Sequence, residues 1–129
     1  MNQFTILLAS NLNAEFHITD ACECLSKAFP VNIRFSDNHW SDAVVKSGQC
    51  LPSGECGRYL NTICKGLTDF VLDDFQAYLK ITETKLGRIR GVETQGSVAI
   101  DMDLVEWNGE VLRPKDAEQE YYMVCLRDL

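Results

Sequence analysis

Two stretches of helical spacing, each following a run of strand-like alternation, predict an α+β fold, and a further alternating run closed by Asn108-Gly109 completes the pattern. The order reads β-α-β-loop-β-α-β-β. That is the order of a ferredoxin-like sandwich, an antiparallel sheet with two helices on one face. At 129 residues the chain is expected to form a single domain, 1–129, with a core of its own.

Each element has a local reason. Gln3 to Ala9 sets Phe4, Ile6 and Leu8 against Thr5 and Leu7, which predicts a largely buried first strand. Ser10-Asn11-Leu12-Asn13 supplies turn and N-cap candidates. Ile18, Ala21, Cys22, Leu25 and Phe29 then keep helical spacing up to Pro30. Val31, Ile33 and Phe35 alternate with Asn32 and Arg34 as a second strand. From Ser41 to Gly57 no period is sustained, and a long loop is expected, of the kind that often closes over ligands.

Arg58 to Leu67 predicts another strand, with Tyr59, Asn61 and Ile63 on one face and Leu60, Thr62 and Cys64 on the other. Thr68 or Asp69 is positioned to cap a second helix, in which Leu72, Phe75, Leu79, Thr82 and Leu86 share a stripe. The strand through Asp101 and Asp103 is expected to reach Trp107. Asn108-Gly109 then signals a hairpin into Glu110-Val111-Leu112. Tyr121 to Leu126 reads as a final apolar strand.

The formal net charge of −7 argues against nucleic acid as a partner, because phosphate backbones are held by summed positive charge. The first ten residues lack a basic n-region, and no apolar run is long enough for a membrane span, so a cytoplasmic location is expected. Oligomeric state leaves no mark on the sequence. Of six cysteines, Cys22 and Cys24 point in different directions on a helix, while Cys64 and Cys125 lie in apolar, strand-like runs as small buried hydrophobes. Cys50 and Cys56 flank a Pro-Ser-Gly turn and could pair, but without a secretory signal the reduced form is expected. His17 and His39 have no partners at zinc-ligand spacing.

The stretch from Leu86 to Asp103 concentrates the chemistry. Lys85, Arg88 and Arg90 end a helix, Gly91 and Gly96 bracket a connection, and Asp101 and Asp103 then share one strand face. Two carboxylates at i and i+2 are commonly just a solvated face, and arginines at a helix end commonly complement its dipole. The sharper reading gives the carboxylates to magnesium and the guanidiniums to phosphate. Neither a Walker loop nor a Gly-x-Gly-x-x-Gly follows a strand, so a nucleotide would be held by side chains and metal. Tyr59 and Asn61 share a face as well. One offers a ring for stacking and the other an amide that reads the edge of a heterocycle.

Taken together, these residues resemble the 6-hydroxymethyl-7,8-dihydropterin pyrophosphokinases of folate biosynthesis over nearly the whole chain. Leu8-Ala9-Ser10-Asn11-Leu12 looks like the family's opening Leu-Gly-Ser-Asn-Leu, and Tyr59-Leu60-Asn61 like its Tyr/Phe-Leu-Asn. Glu83, Leu86-Gly87-Arg88-Ile89-Arg90 and Asp101-Met102-Asp103 look like its helix end and Asp-Leu-Asp signature. The resemblance implies a ferredoxin-like fold and transfer of the pyrophosphoryl group of ATP to the pterin hydroxymethyl, with release of AMP. By the same resemblance Asp101 and Asp103 bind two Mg2+ ions, and Asp101, Tyr59 and Asn61 meet the pterin. Glu83, Arg88, Arg90 and the Leu104 region lie along ATP, and catalysis rests on Asp101, Asp103 and Arg88.

The chain also departs from the family pattern. Where the family usually has Arg-Trp-Gly-Pro-Arg, this chain reads Thr94-Gln95-Gly96-Ser97-Val98, so an arginine position falls on Val98. The family's Pro-His is replaced by Lys115-Asp116, and its pterin-stacking phenylalanine falls near Val124. One expectation is therefore an enzyme of reduced activity, with Lys46, Lys65, Lys85, Arg58 or Arg113 replacing lost cations. The other is a non-catalytic pterin- or nucleotide-binding or interaction module on the same fold.

Overall fold

The structure, a computed structural model, describes residues 1–42, 58–89 and 97–129. Its elements are β1 (Asn2–Ser10), α1 (Ala14–Ala28), β2 (Arg34–Phe35), β3 (His39–Asp42), β4 (Arg58–Thr68), α2 (Leu72–Lys85), β5 (Asp101–Trp107), β6 (Glu110–Val111), α3 (Pro114–Ala117) and α4 (Glu120–Leu126). The six strands form one antiparallel sheet in the order β2-β4-β1-β5-β6, with β3 following β2 along the outer edge of β4. The fold is α+β. Of the expected 41–57 loop, Ser41 and Asp42 belong to β3; the remainder, with Cys50 and Cys56, lies outside the described residues, as do Arg90, Gly91 and Gly96.

The pleat sorts the strands into two layers. Phe4, Ile6 and Leu8 of β1, Leu60 and Cys64 of β4, and Met102 and Leu104 of β5 face α1 and α2. Those helices answer with Ala14, Ile18, Ala21 and Leu25, and with Phe75 and Leu79. Each such Leu, Ile or Phe contributes about 1.5–3 kcal/mol by leaving water. The opposite face holds a smaller cluster, in which Tyr122 and Cys125 of α4 cover Leu7, Ile63 and Val105.

This second layer corrects the reading of the last segment. Tyr121 to Leu126 is helix, not strand, and Cys125 is a buried helical residue rather than a strand residue. Helices therefore cover both faces of the sheet, two on one and the short α3–α4 pair on the other. Tyr122, Cys125, Leu126 and Leu129 fall at helical spacing and all pack in that cluster, so tertiary packing overrides the strand-like composition.

The second strand is also shorter than expected. Val31 to Ile33 lie outside β2, and Asn32 has a positive φ of 53°. Neither expected cap of α2 acts as one. Val71 is its N-cap residue, and the Thr68 hydroxyl takes the Phe70 N–H in a turn before it. Asn108 and Gly109 both have positive φ, 51° and 83°, which is the type I′ hairpin their sequence predicts.

Candidate active site

The strand register builds a polar hollow on the α4 face. Ala9 of β1 pairs with Asn61 on one side and Asp101 on the other; one row along, Leu7 pairs with Ile63 and Asp103. Asn61 and Asp101 are thus two strand spacings apart, about 10 Å, with only the methyl of Ala9 between them. The acidic pair and the Tyr59–Asn61 pair lie on the same side of the sheet. Together with Ser41, Asp42, Val98, Arg113, Asp116 and Tyr121 they wall a cleft of about 290 Å3.

Arg88 reaches this cleft because α2 ends in a Schellman motif. Gly87, at φ 108°, donates its N–H to Thr84, and the Arg88 N–H goes to Glu83. The chain is thereby turned toward β5, and Arg88 Nη1 donates to the Ile100 carbonyl at 3.2 Å and sits 3.4 Å from Asp101 Oδ1. Its buried Nε–H has no partner among the described residues. Val98 is brought alongside by the end of β1, since the Asn11 N–H donates to the Val98 carbonyl and Asn11 Oδ1 accepts the Val98 N–H.

The carboxyls are electrostatically crowded. Burial, then the charge of Asp101 and a hydrogen bond shared with it, push Asp103 up to about 7, against the opposing pull of Arg113. Two adjacent carboxyls, one of them largely buried, are an oxygen donor set that a hard divalent cation would relieve of mutual repulsion, so the residues present fit Mg2+.

Glu83, given a place along ATP by the resemblance, lies beneath the cleft wall. It is completely buried, and its carboxylate accepts the Met102 N–H at 2.6 Å, anchoring β5 from behind the cleft. Burial raises its pKa as well. The Leu104 side chain likewise belongs to the helix-covered core, on the face opposite the aspartates.

Asn61 spends its amide hydrogens on β3, on the His39 carbonyl at 3.0 Å and Ser41 Oγ at 2.8 Å, and on the Tyr59 carbonyl of its own strand at 3.3 Å. A heterocycle reading that amide would take the place of Ser41 Oγ. Sequence reasoning gave Ser41 and Asp42 only to a long loop, Asp116 only to a departure from the family's Pro-His and Tyr121 only to a strand, and named none of them as a site residue. Asp116 of α3 and Tyr121 of α4 meet, hydroxyl to carboxylate, at 3.2 Å, and no helical spacing in the sequence announces that contact. Among the described residues no cluster of three or more His, Cys, Asp and Glu side chains forms a closed metal cage, and no helix is long and apolar enough to cross a membrane.

No curated protein matches the chain. The sequence profile of the 7,8-dihydro-6-hydroxymethylpterin-pyrophosphokinase family matches residues 5–129, essentially all of it. A pyrophosphokinase-like function in the folate pathway, with ATP and pterin as substrates and Mg2+ in use, goes with that family. With Asp101, Asp103, Tyr59 and Asn61 walling one cleft, the chain belongs to the 7,8-dihydro-6-hydroxymethylpterin-pyrophosphokinase family.

Proposed function

We propose that the protein transfers the pyrophosphoryl group of ATP to 6-hydroxymethyl-7,8-dihydropterin, at a lower rate than a member with the full set of family cations. The pterin hydroxymethyl oxygen attacks the β-phosphorus, the bond from that phosphorus to the α-bridging oxygen breaks, and AMP leaves while the hydroxyl proton is lost to solvent. The single observation that supports this best is the common cleft, which sets the acidic pair about 10 Å from the Tyr59–Asn61 strand, across Ala9.

In this reading Asp101 and Asp103 would hold two Mg2+ ions, which when bound would supply charge neutralisation to the polyphosphate. Arg88 binds a phosphate through a guanidinium already aimed by Gly87 and Ile100, and Arg90, which lies outside the described residues, is a further ATP contact in this reading. Tyr59 stacks on the pterin, and Asn61 and Asp101 read its polar edge. The Leu104 backbone, rather than its side chain, borders ATP. Phosphoryl-type transfer depends chiefly on positioning and charge, and Val98 supplies no charge where the family has an arginine. The strand order and the α1–α2 layer support a ferredoxin-like core, with α3 and α4 added on its other face.

The test is AMP formation from Mg-ATP with and without the dihydropterin. AMP that depends on the pterin and disappears in Asp103→Ala supports the enzyme. Pterin binding with no AMP at any enzyme concentration favours a binding module instead.

A further inference from the structure

We infer that Arg113 is a second guanidinium that grips the polyphosphate, on the Asp103 side of the carboxylate pair, opposite Arg88. This rests on the ATP reading above and goes beyond it by choosing one cation among several. Among the described residues only Arg88 and Arg113 bring positive charge to the cleft wall. Of the other cations considered from sequence, Lys46 lies outside the described residues and the rest sit elsewhere. Arg58 stacks 4.8 Å over Trp40 at the sheet edge, Lys65 lines a separate hollow of about 230 Å3 along the sheet, and Lys85 is exposed at the end of α2.

The placement of Arg113 is built rather than accidental. A bulge at Val105 breaks the β1–β5 register, and the Val105 carbonyl accepts the Leu112 N–H at 2.7 Å. That bond turns the chain back over the sheet, and Pro114 starts α3 immediately afterwards. The Arg113 Nε–H donates to Asp116, whose other carboxylate oxygen accepts the Tyr121 hydroxyl at 3.2 Å. Nη2 is thereby left facing the cleft, 3.7 Å from Asp103 Oδ2, with about half of the side chain (49 %) still open.

The charges call for such a group. A nucleoside triphosphate brings about four negative charges and Asp101 and Asp103 about two more, against about four positive from two divalent ions; about two positive charges are then still needed, and Asp42 and Asp116 on the same wall raise that demand. Arg88 and Arg113, one beside each aspartate of the pair, are the positive charges the described wall offers. Asp116 and Tyr121 are positioning residues for the second.

Equilibrium binding of Mg-α,β-methylene-ATP and of Mg-tripolyphosphate tests this, using wild type, Arg113→Gln, Arg113→Lys, Asp116→Asn and Lys65→Gln. Arg113→Gln is expected to weaken both probes about tenfold to a hundredfold, Arg113→Lys to recover part of the loss, and Asp116→Asn to lose less. Adenosine binding and Lys65→Gln are expected to stay at wild-type values. Thermal melting without ligand identifies any variant that fails to fold, and Asp116→Asn then decides. Equal affinity of wild type and Arg113→Gln for tripolyphosphate overturns the inference and leaves the ATP reading intact. Failure of the wild type to bind either probe overturns both.

Discussion

Glu83, which the resemblance assigns to the ATP site, is a fully buried carboxyl that holds the β5 backbone. The sequence places it one helical turn before Arg88, on the helix end that faces the acidic strand, and nothing in its spacing distinguishes a cleft residue from one beneath the cleft. The difference is set by β5, whose Met102 N–H lacks a strand partner there and finds the Glu83 carboxylate instead. Glu83→Ala strands that buried donor and leaves a cavity, and is expected to cost about 2–4 kcal/mol of stability. Glu83→Gln keeps an acceptor oxygen and is expected to cost less than half as much. Urea denaturation of the two variants checks this; an unchanged midpoint for the alanine variant, with ATP binding lost, would return Glu83 to the ligand site.

At the scale of elements, legibility followed the packing. β1, β4, β5 and both long helices bury one regular stripe each, so alternation or 3.6-residue spacing shows them directly. The edge does not. Between β2 and β3 the Ser36 hydroxyl accepts the Ile63 N–H, and Asn61 clasps β3 by its side chain, so polar side chains replace the hydrophobic pattern there. The candidate cleft was legible where it uses β4 and β5, through Tyr59, Asn61, Asp101 and Asp103. Its α3–α4 wall was not, because only the sheet contact separates strand from helix in Tyr121 to Leu126.

The coupling among elements is tightest at Gly66 of β4. A methyl added there would lie 2.7 Å from Phe4 Cζ, and the Phe4 ring is itself held by Phe29 and Phe75. Gly66→Ala is expected to cost about 1–3 kcal/mol by overpacking. Combined with Phe4→Leu, its added cost is expected to shrink, a non-additivity that a double-mutant cycle measures.

For the whole molecule, the acidic cleft ties ion binding to stability. Asp103 ionises near its ordinary value in the unfolded chain but is held at about 7 when folded, burial being the largest cause. Below about pH 4 the group is neutral in both states. As pH rises from about 4 to about 7, only the unfolded chain releases this proton, so Asp103 lowers stability across that interval and its effect levels off above it. A bound divalent ion reverses the balance, because it requires the ionised form and competes with the proton. At a hundredfold excess over its dissociation constant, an ion that binds only the folded state adds about 2.7 kcal/mol, a rise in melting temperature on the order of 10 °C for a chain of this size. The expected rise with Mg2+ is full at pH 8 and nearly absent at pH 5.5. In Asp103→Asn the rise with Mg2+ is small at either pH, and the metal-free melting temperature falls less between pH 5 and pH 7, the buried Glu83 still contributing. Melting curves with and without Mg2+ at the two pH values check this directly. A Mg2+ effect of equal size at both would detach the ion from Asp103, and with it the role given to the acidic pair in phosphate transfer.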